Sequence, residues 1–189
     1  MKVSAALSKV AVVSMLFTGL AHAERPQNWA QPLEVAGVPN LHQVDEHIYR
    51  SAQPKAPGLR NLEERLGVRT VINLRNFNSD KREARNTQLA LEEMNINTWD
   101  VRDEHVVRVL KILRDRSRGP FLVHCQHGAD RTGLMMAMYR MVEQGWSRED
   151  AMREMTQGGY GFHKTWRNIV RYVQRVDVDK IRAGLVANQ

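Results

Sequence analysis

Residues 120–133 of this 189-residue chain read Pro-Phe-Leu-Val-His-Cys-Gln-His-Gly-Ala-Asp-Arg-Thr-Gly. The apolar run from Phe121 to His124 predicts a short strand, and a helix is expected to begin near Arg131 after a tight turn. Cys125, the only cysteine of the chain, stands at the junction. A loop that enters a helix N-terminus carries backbone N–H groups with no intrahelical partner and so favours an anion. The N–H groups of Gln126, His127, Gly128, Ala129, Asp130 and Arg131 are the expected cradle, with Gly128 supplying backbone freedom. Arg131 adds a planar fork suited to two oxygens of a tetrahedral oxyanion. The same positive field favours the thiolate form of Cys125. Nucleophile, cradle and fork together describe phosphoryl transfer through a cysteinyl-phosphate.

Such a reaction needs a group that protonates the leaving oxygen and then activates water, and one carboxylate can do both in turn. Asp100 and Asp103 follow the strand expected before the Cys125 strand, at the same edge of the sheet. Asp103 immediately precedes a predicted helix, where N-cap hydrogen bonds would hold it ionised. Asp100 has no such duty and is the preferred acid. Asp130 either fixes the loop or serves as a second-line acid. His124 is expected to face inward, hydrogen-bonded, and to orient the loop. His127 is expected at the entrance. Arg75 ends a predicted central strand, where open α/β sheets place their ligands, and is assigned a supporting role. His163 follows a glycine pair and is a candidate rim residue. Cys125, His124 and His127 are close in sequence, but the loop points them apart and no second cluster completes a tetrahedral set, so no metal or other cofactor is expected.

The run His124-Cys125-Gln126-His127-Gly128-Ala129-Asp130-Arg131-Thr132-Gly133 resembles the His-Cys-x5-Arg-Thr/Ser-Gly loop of cysteine-dependent protein tyrosine and dual-specificity phosphatases, particularly small exported bacterial members. The resemblance extends over most of residues 40–176. It implies phosphotyrosine hydrolysis, with phosphoserine and phosphothreonine as further substrates of the dual-specificity type. It also implies a general acid from the upstream loop, although the Trp-Pro-Asp motif is absent and only Trp99-Asp100 matches its ends. Thr132 takes the family role of hydrogen-bonding the departing thiolate. Tyr49-Arg50-Ser51-x-Gln-Pro is similar to the segment that opens the family's catalytic domain near the phosphate loop, which makes Arg50 a supporting residue. Members with polyanionic substrates tend to carry loop lysines, where this chain has Gln126, His127 and Asp130. A lipid or inositol phosphatase is therefore the alternative, and a non-catalytic phospho-ligand domain a further one, disfavoured because both Cys125 and Arg131 are present.

The elements that must position these residues follow from periodicity. Leu41–Val44 and His47–Arg50 predict a hairpin. Leu59, Leu62 and Leu66 recur at helical spacing before Gly67, a helix stop. Val68–Leu74 is rich in β-branched residues and predicts a central strand. Residues 79–93 are expected to form a covering helix and Ile96–Trp99 a short strand. Val106, Val107, Leu110 and Leu113 mark an amphipathic helix reaching about Asp115. Leu134, Met138 and Val142 continue the helix after the loop, with Met135 to Met141 as core packing. Ser147 and Asp150 frame a capping box for a helix ending before Gly158-Gly159. Trp166–Val176 is the last predicted helix. The alternation gives an α/β fold, a central mostly parallel sheet flanked by helices, and the resemblance implies that it is dual-specificity-phosphatase-like.

The organisation expected is a signal peptide over 1–23, an irregular arm over 24–40, the phosphatase domain over 41–178 and a C-terminal tail over 179–189. Lys2, the apolar run to Leu20 and Ala21-His22-Ala23 have the pattern of an exported precursor cut before Glu24. The run is shorter than the roughly 20 apolar residues a spanning helix needs, so no stable membrane insertion is expected after cleavage. The protein is accordingly expected in the periplasm or secreted. A solitary cysteine in an oxidising compartment points to reactivity rather than stapling. The formal charge of +7 falls to +5 when Lys2 and Lys9 leave with residues 1–23. That mild excess suits a phosphorylated protein or a small phosphomonoester as substrate. Nucleic acid is not expected, because the basic residues interleave with acids and no aromatic platform is evident.

Overall fold

Phe121–His124 forms the strand that the rest of the sheet is built around in the computed structural model, which describes residues 25–187. The expected signal peptide lies outside the described residues. Six strands are ordered β1-β2-β3-β6-β4-β5, where β1 is Gln31–Pro32, β2 His42–Gln43, β3 Ile48–Ser51, β4 Thr70–Asn73, β5 Ala90–Glu93 and β6 Phe121–His124. β3, β6, β4 and β5 run parallel, while β2 and β1 add antiparallel at the β3 edge. In register, Ser51, His124 and Asn73 are level at the carboxyl ends of the three middle strands. The chain leaves β6 at that end and enters Cys125.

Successive β6 side chains face opposite layers, as the two-residue period requires. Phe121 and Val123 join the larger core beneath α2 (Asp103–Arg114), α3 (Asp130–Val142), α5 (Arg167–Arg175) and α6 (Val178–Val186). Leu122 joins the smaller core with Val71, Tyr49 and the Leu59 and Leu62 side chains of α1 (Ala56–Leu66). Leu59 and Leu62 are fully buried, each contributing about 1.5–3 kcal/mol by transfer from water. Gly67 ends α1 in the left-handed region, at φ 64°. α3 is buried on nearly every side, which explains its run of methionines and its lack of a polar face. α4 (Arg148–Gln157) packs beside it and begins with the expected cap, the Ser147 hydroxyl accepting the Asp150 N–H.

The structure departs from the sequence reading in four places. Residues 81–86 are turns, and the strand after them is Ala90–Glu93, not Ile96–Trp99. β5 is an edge strand with one neighbour, so it tolerates Glu92 and Glu93 and reads as a helix surface. Ile96 is buried in a loop, where its N–H donates to Leu74 O at 3.3 Å. Within the segment expected to be irregular, Gln31–Pro32 pairs with β2, and Ala30, Val35 and Val38 are buried. α5 is followed by α6, whose Ile181 and Leu185 pack into the larger core at positions read as part of a tail.

Candidate active site

Cys125 sits where β6 ends, 2% exposed, and the loop from Gln126 to Ala129 returns the chain to the N-terminus of α3. The N–H groups of Gln126, His127, Gly128 and Ala129 donate to no acceptor among the described residues. Unpaired amides in a tight loop at a helix start are an anion-binding concavity. Gly128 makes the loop possible. Its φ is 69°, and a Cβ there would lie 2.5 Å from the backbone of Ser51 and Ala52. The loop therefore lies directly on the end of β3, and Gln53 N–H secures it further by donating to Gln126 O at 3.2 Å.

Arg50 fastens the same turn from below. It is 1% exposed, its Nη2 donates to Gly128 O at 2.7 Å, and its guanidinium lies 3.5 Å from the centroid of the Tyr160 ring. Burial pulls the Arg50 pKa below its ordinary value, partly offset by Tyr160 and Glu154. Tyr160 donates its hydroxyl to Glu154 at 3.0 Å, and burial raises its pKa to about 12. Glu154 also accepts from Arg140 Nε and Nη2 at 2.8 and 2.9 Å and from the Ala30 N–H at 2.6 Å. Burial alone would raise the Glu154 pKa, but Arg140 outweighs it and holds the carboxyl below its usual range. This is a buried ionic network under the loop, built from β3, α3, α4 and the N-terminal arm.

A second network stands behind Cys125. His124 is fully buried and faces inward as expected, its Nε2 2.7 Å from Asp80 Oδ2. Asp80 accepts at Oδ1 from Arg75 Nη2 at 3.1 Å and from Gln53 Nε2 at 2.9 Å. Burial opposes the Asp80 charge, but the bond from His124, the Gln53 amide and Arg75 together keep its pKa below the ordinary value. Arg75 is thus a support for Asp80. The sequence reading missed Asp80, and its one signal was indirect, since a buried His124 needs an acidic or polar partner.

Arg131 Nη1 donates to Ile96 O at 3.2 Å and Leu74 O at 3.5 Å. Its Nε is buried with no partner, and the edge carrying Nε and Nη2 bonds none of the described residues. The fork is oriented by carbonyls on one edge and free on the other, as oxyanion binding requires. Thr132 Oγ1 is likewise buried without a partner. The expected bond from Thr132 to Cys125 is not formed in this structure.

The two candidate acids separate. Asp103 is the first residue of α2 rather than its cap, which is Arg102. Its carboxylate accepts from Lys180 Nζ at 2.8 Å and the Tyr172 hydroxyl at 2.9 Å, tying α2 to α6 and α5. The Lys180 bond holds its pKa low, against partial burial and with help from Tyr172. Asp100 is on the surface beside Trp99 and paired with Arg102, whose hydrogen bond depresses the carboxyl. Asp130 is buried and accepts from the His163 N–H at 2.9 Å, with His163 Nδ1 at 2.8 Å from its other oxygen. That fixes the loop to the segment after α4. Asn40, in the segment read as an arm, adds a second tie through His127 O and Tyr160 O at 2.9 and 3.0 Å.

A family model described as "DSP-PTPase phosphatase fused to NAD+ Kinase" matches residues 27–168. The chain is 38% identical over 166 residues to the dual specificity protein phosphatase TpbA of Pseudomonas aeruginosa, covering 86% of this chain and 73% of that protein. A crystal structure of a TpbA variant in complex with pTyr superposes with a TM-score of 0.77 at 35% identity, covering 88% of this chain and all of that one. An inositol diphosphatase of Arabidopsis thaliana is 26% identical over 157 residues, covering 78% of this chain and 74% of that protein. These matches place the chain in the DSP-PTPase family of phosphatases.

Proposed function

We propose that the protein hydrolyses phosphotyrosine in proteins, with phosphoserine and phosphothreonine as secondary substrates, through a phosphocysteine at Cys125. The observation that carries this reading is the Cys125–Arg131 loop itself, held by Arg50 and by the Asp80–His124 pair with its amides and the Arg131 fork unpaired. Substrate phosphate enters the cradle, and Arg131 takes two of its oxygens through the free edge. The Cys125 thiolate attacks phosphorus in line, the phosphorus–oxygen bond breaks, and the tyrosyl oxygen takes a proton from Asp100. Asp100 then accepts a proton from the water that attacks phosphorus, and the thiolate leaves with a hydrogen bond from the Thr132 hydroxyl. For this role Asp100 must exchange its Arg102 partner for the leaving oxygen, because Arg102 favours the ionised form. TpbA, a dual specificity protein phosphatase with a pTyr complex, supports the substrate class.

The chain is further proposed to be exported, to the periplasm or beyond, on the strength of the Lys2 to Ala23 pattern. No helix among the described residues is long and apolar enough to cross a membrane. A substrate panel tests the central reading. Phosphotyrosine peptides are expected to give the highest kcat/KM, ahead of phosphoserine peptides, inositol polyphosphates and inositol pyrophosphates. A preference of tenfold or more for an inositol substrate would replace the protein-phosphatase reading with the inositol one.

A further inference from the structure

His127, Asp130 and His163 are not used as side chains by the phosphoryl chemistry above, yet they converge at the mouth of the loop. One ligating atom from each lies within 4.8 Å of the others. They come from three places: the loop, the first residue of α3, and the segment between α4 and α5. The His127 and His163 rings are 5.2 Å apart at 63°, and both residues are exposed, whereas the Asp130 carboxylate between them is buried. The arrangement is held from behind. Asn40 joins the backbone of His127 to that of Tyr160, and Asp130 fixes the His163 backbone as well as its ring.

Two imidazoles and one carboxylate are the donor set of open zinc sites. Bond lengths of about 2.0–2.1 Å put ligand atoms roughly 3.3 Å apart in a tetrahedron. The His163–Asp130 contact of 2.8 Å lies just inside that spacing, and the 4.8 Å limit on the set lies outside it. Rotation of the exposed His127 ring, with a small lengthening of the His163–Asp130 contact, closes the difference. One buried carboxylate leaves the bound dication with a net positive charge beside the anion cradle, and solvent supplies the remaining position.

We propose that His127, Asp130 and His163 form a binding site for a transition-metal dication of the zinc class. The ion is not a cofactor, since the nucleophile is Cys125. Its binding cross-links the phosphate loop to the segment carrying His163 and narrows the mouth, so it acts as a reversible inhibitor. The inhibition rests on the loop being the catalytic site; the binding does not.

The test uses the untagged full chain titrated with Co²⁺, read by visible absorption, and with Zn²⁺, read by calorimetry. One equivalent is expected to bind to wild type and to Cys125→Ser alike, with no sulfur-to-metal charge-transfer band. His163→Ala and His127→Ala, both at exposed positions, are each expected to weaken binding at least tenfold. Zn²⁺ is expected to inhibit the wild type and a chelator to restore its full activity. The site is overturned by absence of stoichiometric binding, by a charge-transfer band that disappears in Cys125→Ser, or by unchanged binding in the two histidine variants. Stoichiometric binding with turnover unaffected overturns the inhibitory role and leaves the phosphatase reading intact.

Discussion

In the proposed mechanism two residues decide whether the Cys125 loop works, and they do so by different physics. Gly128 must hold φ 69° while lying against Ser51 and Ala52, where backbone cannot move aside cheaply. Gly128→Ala is therefore expected to reduce kcat/KM at least tenfold and to lower stability by about 1–3 kcal/mol, read by steady-state kinetics and urea unfolding. A loss of less than twofold in kcat/KM would show that the loop does not depend on that backbone geometry. Asp100, in the proposed mechanism, acts on the leaving group instead. Asp100→Asn is expected to slow alkyl and phenyl phosphates severely and an activated aryl phosphate much less. The alkaline limb of the kcat/KM profile, which reports loss of the acid's proton, is expected to flatten. An equal loss with both leaving groups would move the acid elsewhere. At this scale the loop was legible in the sequence: the structure places Cys125, Gly128 and Arg131 between β6 and the first turn of α3, as their types and spacing predicted. Asp80 was not, because a buried carboxylate in the polar run Asn78–Arg82 has no local pattern to mark it.

The elements position the loop through buried charge as much as through apolar packing. α3 and α4 are joined by Arg140 and Glu154, both 3% exposed, and the same carboxylate reaches Tyr160 and Ala30. Removing one partner of such a pair leaves an uncompensated buried charge. Glu154→Ala is expected to destabilise the fold by about 3–5 kcal/mol in urea unfolding. A change below about 1 kcal/mol would mean that Arg140 is solvated without its partner. The strands and helices with clear periodicity were legible, β4, β6 and α1 among them. β5 was not, because an edge strand takes its identity from the pairing of Thr70–Asn73 with Ala90–Glu93 rather than from its own pattern. α6 was missed because its inward face, Ile181 and Leu185 with the half-buried Val178, becomes a core face only against α2 and α3. The ionic network was invisible for the same reason: its members lie far apart in sequence.

For the molecule as a whole, the parallel middle of the sheet delivers Ser51, His124 and Asn73 to one edge, and the Cys125 loop is the connection that leaves it. The fold also carries a pH dependence. Burial of His42 against Tyr160 lowers its pKa from 6.5 to about 4, so the folded state binds fewer protons than the unfolded one between those values. Stability then rises with pH across that window and is lost as pH falls through it, by at most about 3 kcal/mol. His42→Gln is expected to remove most of this slope between pH 6.5 and 5, measured by urea unfolding at each pH; an unchanged slope would assign it to other groups. The central claim is that the fold exists to present Cys125 as a nucleophile to phosphorus. Rapid acid quenching of the wild type during turnover of a ³²P-labelled activated aryl phosphate, followed by peptide mapping, tests it most directly. The account predicts acid-stable label on the peptide containing Cys125 and none in Cys125→Ser, which should also fail to turn over. Turnover without label on that peptide, or near-wild-type turnover by Cys125→Ser, would contradict it.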